Sequence, residues 1–463
     1  MQNIFPNENI LPALAARRRS LFWRIHFWAA LIASPFALLA ALTGILYIFT
    51  PQIEQVLYPH LDHIEPAGEM RTLDDSIAAA RAVVAPGSTL TSVALALRPS
   101  DSMKVFFTSS GMDNAAGNDS ADAHAMHGQM NMPTMAMPPR TIAAGKAITV
   151  YVDPYTTTIL GVQVDSERFS LWSKKLHSSL LQGEGWRWMI ELAASWLMVM
   201  LLTGIYLWWP RNKQSGIPQK DAKGRTWWSQ WHAFFGVVLS VMSLVILTTG
   251  LTWSKYAGSQ IRLARDAVGQ QSPQAPRNLK SIAIEGKTPM TWQQAADIAR
   301  QQAPDIALRL VAPREPLGTW RVTNYDLTQP EKRIDMVLDA YSGKVLFRSG
   351  WDQQTAFGKA TGIGIPFHRG EFGLWNQLLL LIFGLGIVFS LLSGWIMFFK
   401  RRKAGTFGLP KLLPGAWRAA PAAFWIVALL LCAIMPLLAL SASVVAALEI
   451  LLHHKNRKNL IRN

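Results

Sequence analysis

Four histidines stand at the water-facing ends of four long apolar segments: His26 and His232 at one face, His177 and His368 at the other. A neutral imidazole is a strong axial donor to haem iron, and two from facing helices fill both axial sites, which suits electron transfer better than gas binding. The pattern predicts two bis-histidine haems, one near each surface of a membrane, and so an electron path across it. Singly, each histidine has a simpler reading as an interfacial hydrogen-bonding residue. The four in register argue for ligation.

Basic residues near these ends could pair with haem propionates: Arg24 and Arg225 on the inner side, and Lys174, Lys175, Arg187 and Arg369 on the outer. Anchoring to lipid headgroups is the alternative for each of them. The single cysteine, Cys432, lies in an apolar stretch. One cysteine excludes an intramolecular disulfide, a C-x-x-C-H attachment and a four-cysteine cluster, so a haem here is held without covalent attachment.

The segments that must position these histidines dominate the composition. Half of the 463 residues are hydrophobic and 16% are charged, unlike an ordinary soluble domain. Five apolar stretches, about 27–49, 186–209, 233–253, 374–399 and 423–451, are long enough to cross ~30 Å of hydrocarbon at ~1.5 Å per residue. Tryptophans at their flanks (Trp186, Trp188, Trp208, Trp209, Trp227, Trp228, Trp231, Trp253) form candidate aromatic belts. The first stretch follows Arg17-Arg18-Arg19, exceeds a usual signal h-region and is followed by no convincing A-x-A site, which predicts a retained anchor.

Lys and Arg collect in cytoplasmic loops, and here they mark alternate loops: Arg17–Arg19, then Arg211, Lys213, Lys220, Lys223 and Arg225, then Lys400–Lys403. This predicts a multi-pass inner (plasma) membrane protein with a cytoplasmic N-terminus. The net charge of +16 is then a topology signal, and nucleic acid is not expected as a partner. Five crossings would leave the basic tail (Lys455, Arg457, Lys458, Arg462) outside. Either the rule lapses late in the chain, or the last segment, broken by Pro436, does not cross once.

The expected organisation is a cytoplasmic N-terminus (1–20), a first span (21–50), an external module (51–168) with an insert at 111–140, and an interfacial helix with the second span (169–210). A cytoplasmic loop (211–231), a third span (232–254), a second external module (255–366) and a fourth span (367–399) follow. A cytoplasmic loop (400–422), a fifth span (423–452) and a basic tail (453–463) complete it. The fold class is a membrane all-α bundle, four core transmembrane helices plus a fifth, with two external α+β modules arising by internal duplication.

Duplication is read from landmarks that recur in order. Trp23–Trp28 and Trp228–Phe235 open the two copies. Leu42-Thr43-Gly44 and Thr248-Thr249-Gly250 read as small-residue turns ending the first span of each. Helical stretches near 73–84 and 291–303 precede alternating strands, and each module ends in an Asp-x-Tyr hairpin, Asp153-Pro154-Tyr155 and Asp339-Ala340-Tyr341. Then come the outer histidine, a Gly-Glu element (Gly183-Glu184, Gly370-Glu371), and a return span ending in Leu202-Thr203-Gly204 or Leu392-Ser393-Gly394. Such parallel repeats imply a pseudo-two-fold axis along the membrane normal, pairing His26 with His232 and His177 with His368.

On these motifs the chain resembles the PepSY-associated transmembrane helix family, in which membrane spans alternate with small external PepSY α+β modules. Some members are inner-membrane reductases of iron–siderophore complexes that carry two b-type haems. The resemblance implies that His26/His232 and His177/His368 are the ligand pairs and that the acceptor is a ferric siderophore or another external metal chelate. Members fused to a flavodoxin-reductase-like module receive electrons from it; no such module is found in these 463 residues, and the electron donor stays open.

Two further readings belong to other classes. The external modules could bind or restrain a partner protein without redox chemistry. Alternatively the insert, with His124, Met126, His127, Met130, Met132, Met135 and Met137, could capture copper, since thioethers are soft ligands for Cu(I); an insert without a ligand is the plain alternative. His60 and His63 read as solvated, and His453 and His454 begin the basic tail. Glu191 and Glu449, in or near apolar stretches, mark either a polar path or ordinary helix-end hydrogen bonding.

Overall fold

A computed structural model describes residues 10–110, 143–209 and 216–462. The helices in chain order are α1 (Ile10–Ile48), α2 (Thr50–Leu57), α3 (Pro59–Asp62), α4 (Leu73–Ala82), α5 (Phe169–Ser179), α6 (Trp188–Trp208) and α7 (Gly224–Val238). They continue with α8 (Ser240–Leu251), α9 (Ala257–Ala267), α10 (Trp292–Gln302), α11 (Ala356–Arg369), α12 (Leu374–Arg401), α13 (Ala422–Ile434) and α14 (Pro436–Arg462). Two compact units are formed: a helical one from Met1–Pro51, Ser173–Ser272 and Thr355–Asn463, and an α+β one from Gln52–Trp172 and Pro273–Gln354.

In the helical unit α1, α6, α12 and α14 are each long and apolar enough to cross a membrane, and α7 with α8, bent by 58° at the break between them, has that length and apolarity only as a pair, the pattern of a broken span or a re-entrant loop. The chain is therefore a membrane protein. The segment expected as the third span, 232–254, is broken at Leu239, whose side chain occupies the space a Cβ would fill at Gly386 of α12. The landmarks Thr43-Gly44 and Thr249-Gly250 are not turns but lie inside α1 and α8. Their small residues serve close side-chain approach, as is common between membrane helices.

The last apolar segment departs furthest from a single fifth span. Proline lacks an amide donor and clashes with the preceding turn, and the helix stops at Ile434, one residue before Met435-Pro436. The approach to α13 lies against the start of α1: Arg18 Nε donates to Ala419 O at 2.7 Å, and the rings of Phe22 and Phe424 are 5.5 Å apart. Further along α14, Ser441 accepts from Trp196 Nε1 at 2.9 Å, and Glu449 then pairs with Arg24 at 2.7 Å, back at the start of α1. The segment is a helical hairpin whose two ends lie at the His26 end of the bundle.

The α+β unit contains one antiparallel sheet of eight strands in the order β4-β3-β2-β1-β5-β6-β7-β8. Its strands are β1 (Thr89–Ala94), β2 (Met103–Thr108), β3 (Ala147–Val152), β4 (Ile159–Val164), β5 (Leu308–Val311), β6 (Thr319–Asn324), β7 (Ile334–Asp339) and β8 (Val345–Gly350). Alternation places Val105, Phe107, Ile148, Val150, Leu310, Val322, Met336 and Leu338 on one face, under Leu73, Ile77 and Ala80 of α4 and Ala295, Ala296 and Ala299 of α10. The two expected modules thus share a sheet and a core. An unpaired strand edge exposes a row of donors and acceptors; here the edges of β1 and β5 satisfy one another, with Val93 opposite Leu310 and Leu95 N donating to Leu308 O at 2.9 Å.

The two Asp-x-Tyr hairpins have matching chemistry. Asp153 accepts from Tyr155 N at 2.8 Å, and Asp339 from the amides of Tyr341 and Ser342 at 2.9 and 2.8 Å. Each tyrosine hydroxyl donates to a proline carbonyl at 3.0 Å, Pro99 or Pro316. Burial opposes ionisation of Asp339, yet amide donors that include Ile282 N hold its carboxyl below the usual carboxylate range. Gly343 takes φ 72° at the second turn, where the first forces Thr157 to φ 59°.

Candidate functional site

Each of the four histidines is held by the same device. His26 Nδ1 lies 3.0 Å from Met200 O and 3.1 Å from Thr203 Oγ1 on α6; His232 Nδ1 lies 2.9 Å from Ser390 O and 3.0 Å from Ser393 Oγ on α12. His177 Nδ1 meets Thr43 Oγ1 of α1 at 3.1 Å, and His368 Nδ1 meets Thr249 Oγ1 of α8 at 3.0 Å. A glycine follows each of these hydroxyl residues. A methyl group added at Gly44, Gly204 or Gly250 would come within 3.3 Å of the histidine's Cε1, and one at Gly394 within 3.6 Å.

The clamp selects a tautomer. Each hydroxyl also donates to its own helix: Thr203 to Val199 O at 2.7 Å, Thr43 to Leu39 O at 2.7 Å, Thr249 to Val245 O at 2.8 Å and Ser393 to Ser390 O at 2.9 Å. With its proton committed, the hydroxyl presents a lone pair, and a carbonyl can only accept, so Nδ1 carries the proton. The lone pair is then on Nε2, and no hydrogen bond among the described residues occupies it. A second partner on Nδ1 that fixes tautomer and ring orientation is the usual support of a metal-ligating histidine.

His26 and His232 face one another with ring centres 6.4 Å apart and planes at 88°. They line a cavity of about 880 Å³ in the helical unit, within the size range of cofactor pockets. Its wall is apolar apart from a few hydroxyls, the two histidines and four cations, Arg19, Arg225, Arg401 and Lys411, and it has no carboxylate among the described residues. Arg401 is steadied by donating to Gly408 O at 2.6 Å and by lying over the Trp23 ring at 5.4 Å. Near the other pair, burial and then the charges of Arg369 and Arg187 lower the affinity of Lys174 for its proton.

The remaining sequence candidates fall elsewhere. Arg24 does not line the cavity: it is paired with Glu449 and also donates to Pro410 O. Arg369 donates to Tyr47 Oη at 2.9 Å and pairs with Glu371 at 2.6 Å; Arg187 pairs with Glu184 at 3.0 Å. Glu191 accepts from Tyr256 N at 2.9 Å and Ala257 N at 2.6 Å, the first amides of α9, so its charge sits at a helix N-terminus. Glu449 receives Arg24 and the Trp28 indole N–H. His124, Met126, His127 and Met130 lie outside the described residues. Among the described residues no cluster of three or more His, Cys, Asp or Glu could hold a bare metal ion.

Sequence reasoning noted the Thr-Gly and Ser-Gly pairs as landmarks but missed their role. The signal was available: Thr43 follows His26 by 17 positions, and Thr249 follows His232 by the same 17. Arg19, Arg401 and Lys411 were also missed as site residues, because only the folded chain brings them to one wall.

Apolar spans, an α+β unit and histidine pairs clamped inside the bundle define a membrane protein built around paired imidazole sites. The chain matches the model of the PepSY-associated TM region over residues 23–401 and belongs to that family. No curated protein matches the chain.

Proposed function

We propose that this protein carries electrons across the inner membrane through two non-covalently held b-type haems, ligated by His26 with His232 and by His177 with His368, and delivers them singly to an external ferric chelate. The observation that carries this reading is the fourfold clamp, which leaves all four Nε2 lone pairs without a hydrogen bond among the described residues. Two imidazoles that share one metal ion at roughly 2 Å from each nitrogen have ring centres about 6 Å apart, close to the 6.4 Å between His26 and His232. The apolar wall excludes water, and Arg225, Arg401, Arg19 and Lys411 offer partners for two propionates.

Bound haem would supply one-electron chemistry at its iron; the chain's part is to fix ligand tautomer, ring angle and local polarity. One electron converts the substrate's Fe(III) to Fe(II), which hard oxygen donors hold less tightly, so iron is released with the chelator intact. We place the His26/His232 end in the cytoplasm. The hairpin supports this placement, because it returns the basic tail to the end that carries Arg17–Arg19, in line with the positive-inside rule. The recurring clamps and the matching halves of the sheet support internal duplication.

The test is a visible spectrum of the protein purified from cells with ample haem supply. A Soret band with sharp α and β bands on reduction is expected, and His368→Ala should lose the outer haem while keeping the inner one. A colourless preparation would sink the proposal.

A further inference from the structure

The cavity that holds His26 and His232 has more positive charge than the proposed cofactor needs. Its wall has four cations and no carboxylate among the described residues, whereas one b-type haem carries two propionates. Arg19, Arg225 and Lys411 are exposed, and Arg401 is half-buried and fixed by Gly408 O and Trp23.

Two of these cations, Arg19 and Lys411, come from outside the family match, which runs from residue 23 to residue 401. The stretch that follows is tied down at several points. Leu413 N donates to Ser20 Oγ at 3.2 Å, Arg24 donates to Pro410 O, and Arg18 donates to Ala419 O at 2.7 Å. Arg24 is in turn held by Glu449 of α14. This strap carries Lys411 and Leu413 into the cavity wall.

We infer that the mouth of this cavity, formed by Arg19, Arg225 and Arg401 and completed by Lys411 on the C-terminal strap, is a docking site for a small anionic electron donor bearing a phosphate or carboxylate. The inference rests on the electron-transfer reading above. The donor gives up one electron per transfer to the site ligated by His26 and His232, and its anionic group stays bound to the cations. Fixed cations around a low-dielectric cleft concentrate such an anion and speed its arrival, in a salt-dependent way. A neutral, lipid-soluble donor would have no use for the surplus charge.

A matched pair of flavins tests this, since flavin mononucleotide and lumiflavin share a ring system and differ in the phosphate-bearing side chain. Fluorescence titration of the full-length haem-loaded protein with each oxidised flavin is expected to show at least tenfold tighter binding of the mononucleotide at low salt. The preference should shrink as salt rises and be largely lost in Arg225→Gln/Lys411→Gln. With the reduced flavins, the rate of haem reduction should follow the same order. Equal affinities in a protein with intact haem bands would overturn the docking site while leaving the electron-transfer reading in place; a colourless protein that still prefers the mononucleotide would do the reverse. The titration is repeated in nanodiscs of neutral and of anionic lipid. A preference that disappears only in anionic lipid would assign the cations to headgroups and also overturn the docking site.

Discussion

The glycines behind the histidines make the site testable atom by atom. A methyl at Gly204 would sit 3.3 Å from His26 Cε1, closer than an ordinary contact, and one at Gly394 would sit an unstrained 3.6 Å from His232 Cε1. If the proposed haem ligation holds, Gly204→Ala should therefore displace its imidazole and lower haem content at the His26/His232 site, whereas Gly394→Ala should leave it nearly unchanged; haem per protein, measured by pyridine haemochromogen, checks this. Affinity losses of about 10–100-fold are typical when such supporting groups are disturbed. Residue types made the four histidines legible in the sequence, because an imidazole at a span end is conspicuous. The donors that orient them were not, since a serine or threonine in a membrane helix usually bonds to its own backbone. These four do so as well, and the additional contact with a histidine appears only when two helices are packed.

Among the elements, the hairpin of α13 and α14 is secured by one buried ion pair. Arg24 and Glu449 each have side chains 11% exposed, and removing one partner strands the other's charge. Glu449→Gln should cost roughly 3–5 kcal/mol, and Arg24→Met/Glu449→Leu should recover most of it, because an apolar pair avoids the desolvation penalty; thermal unfolding in detergent reads both. Hydropathy located this apolar stretch but not its path, since 29 residues of apolar sequence at 423–451 fit one long span as well as two short legs. Pro436 was the visible clue. The bend at Leu239 left no such mark, because it depends on space over Gly386 on another helix.

For the whole molecule, the hairpin predicts that both ends of the chain face the same side. Reporter fusions at the N-terminus and after Asn463 should respond to the same compartment, and opposite responses would refute the hairpin. The order of spans and of α+β segments was legible because it depends on local periodicity. That the two α+β segments would join was not, since Val93 and Leu310 of the seam are ordinary core residues, 217 positions apart. Nothing local in either strand specifies its partner.

That seam also sets a schedule for biosynthesis. Some 213 residues separate the end of β1 at Ala94 from the start of β5 at Leu308, and at ~5–20 residues per second the ribosome needs roughly 10–40 s to supply them. For that interval β1 has an open edge, the kind of surface that recruits stray strands. A nascent chain stalled between the two halves is thus an aggregation hazard, and the newborn protein depends on timely completion or on a holding chaperone in the compartment where the sheet assembles.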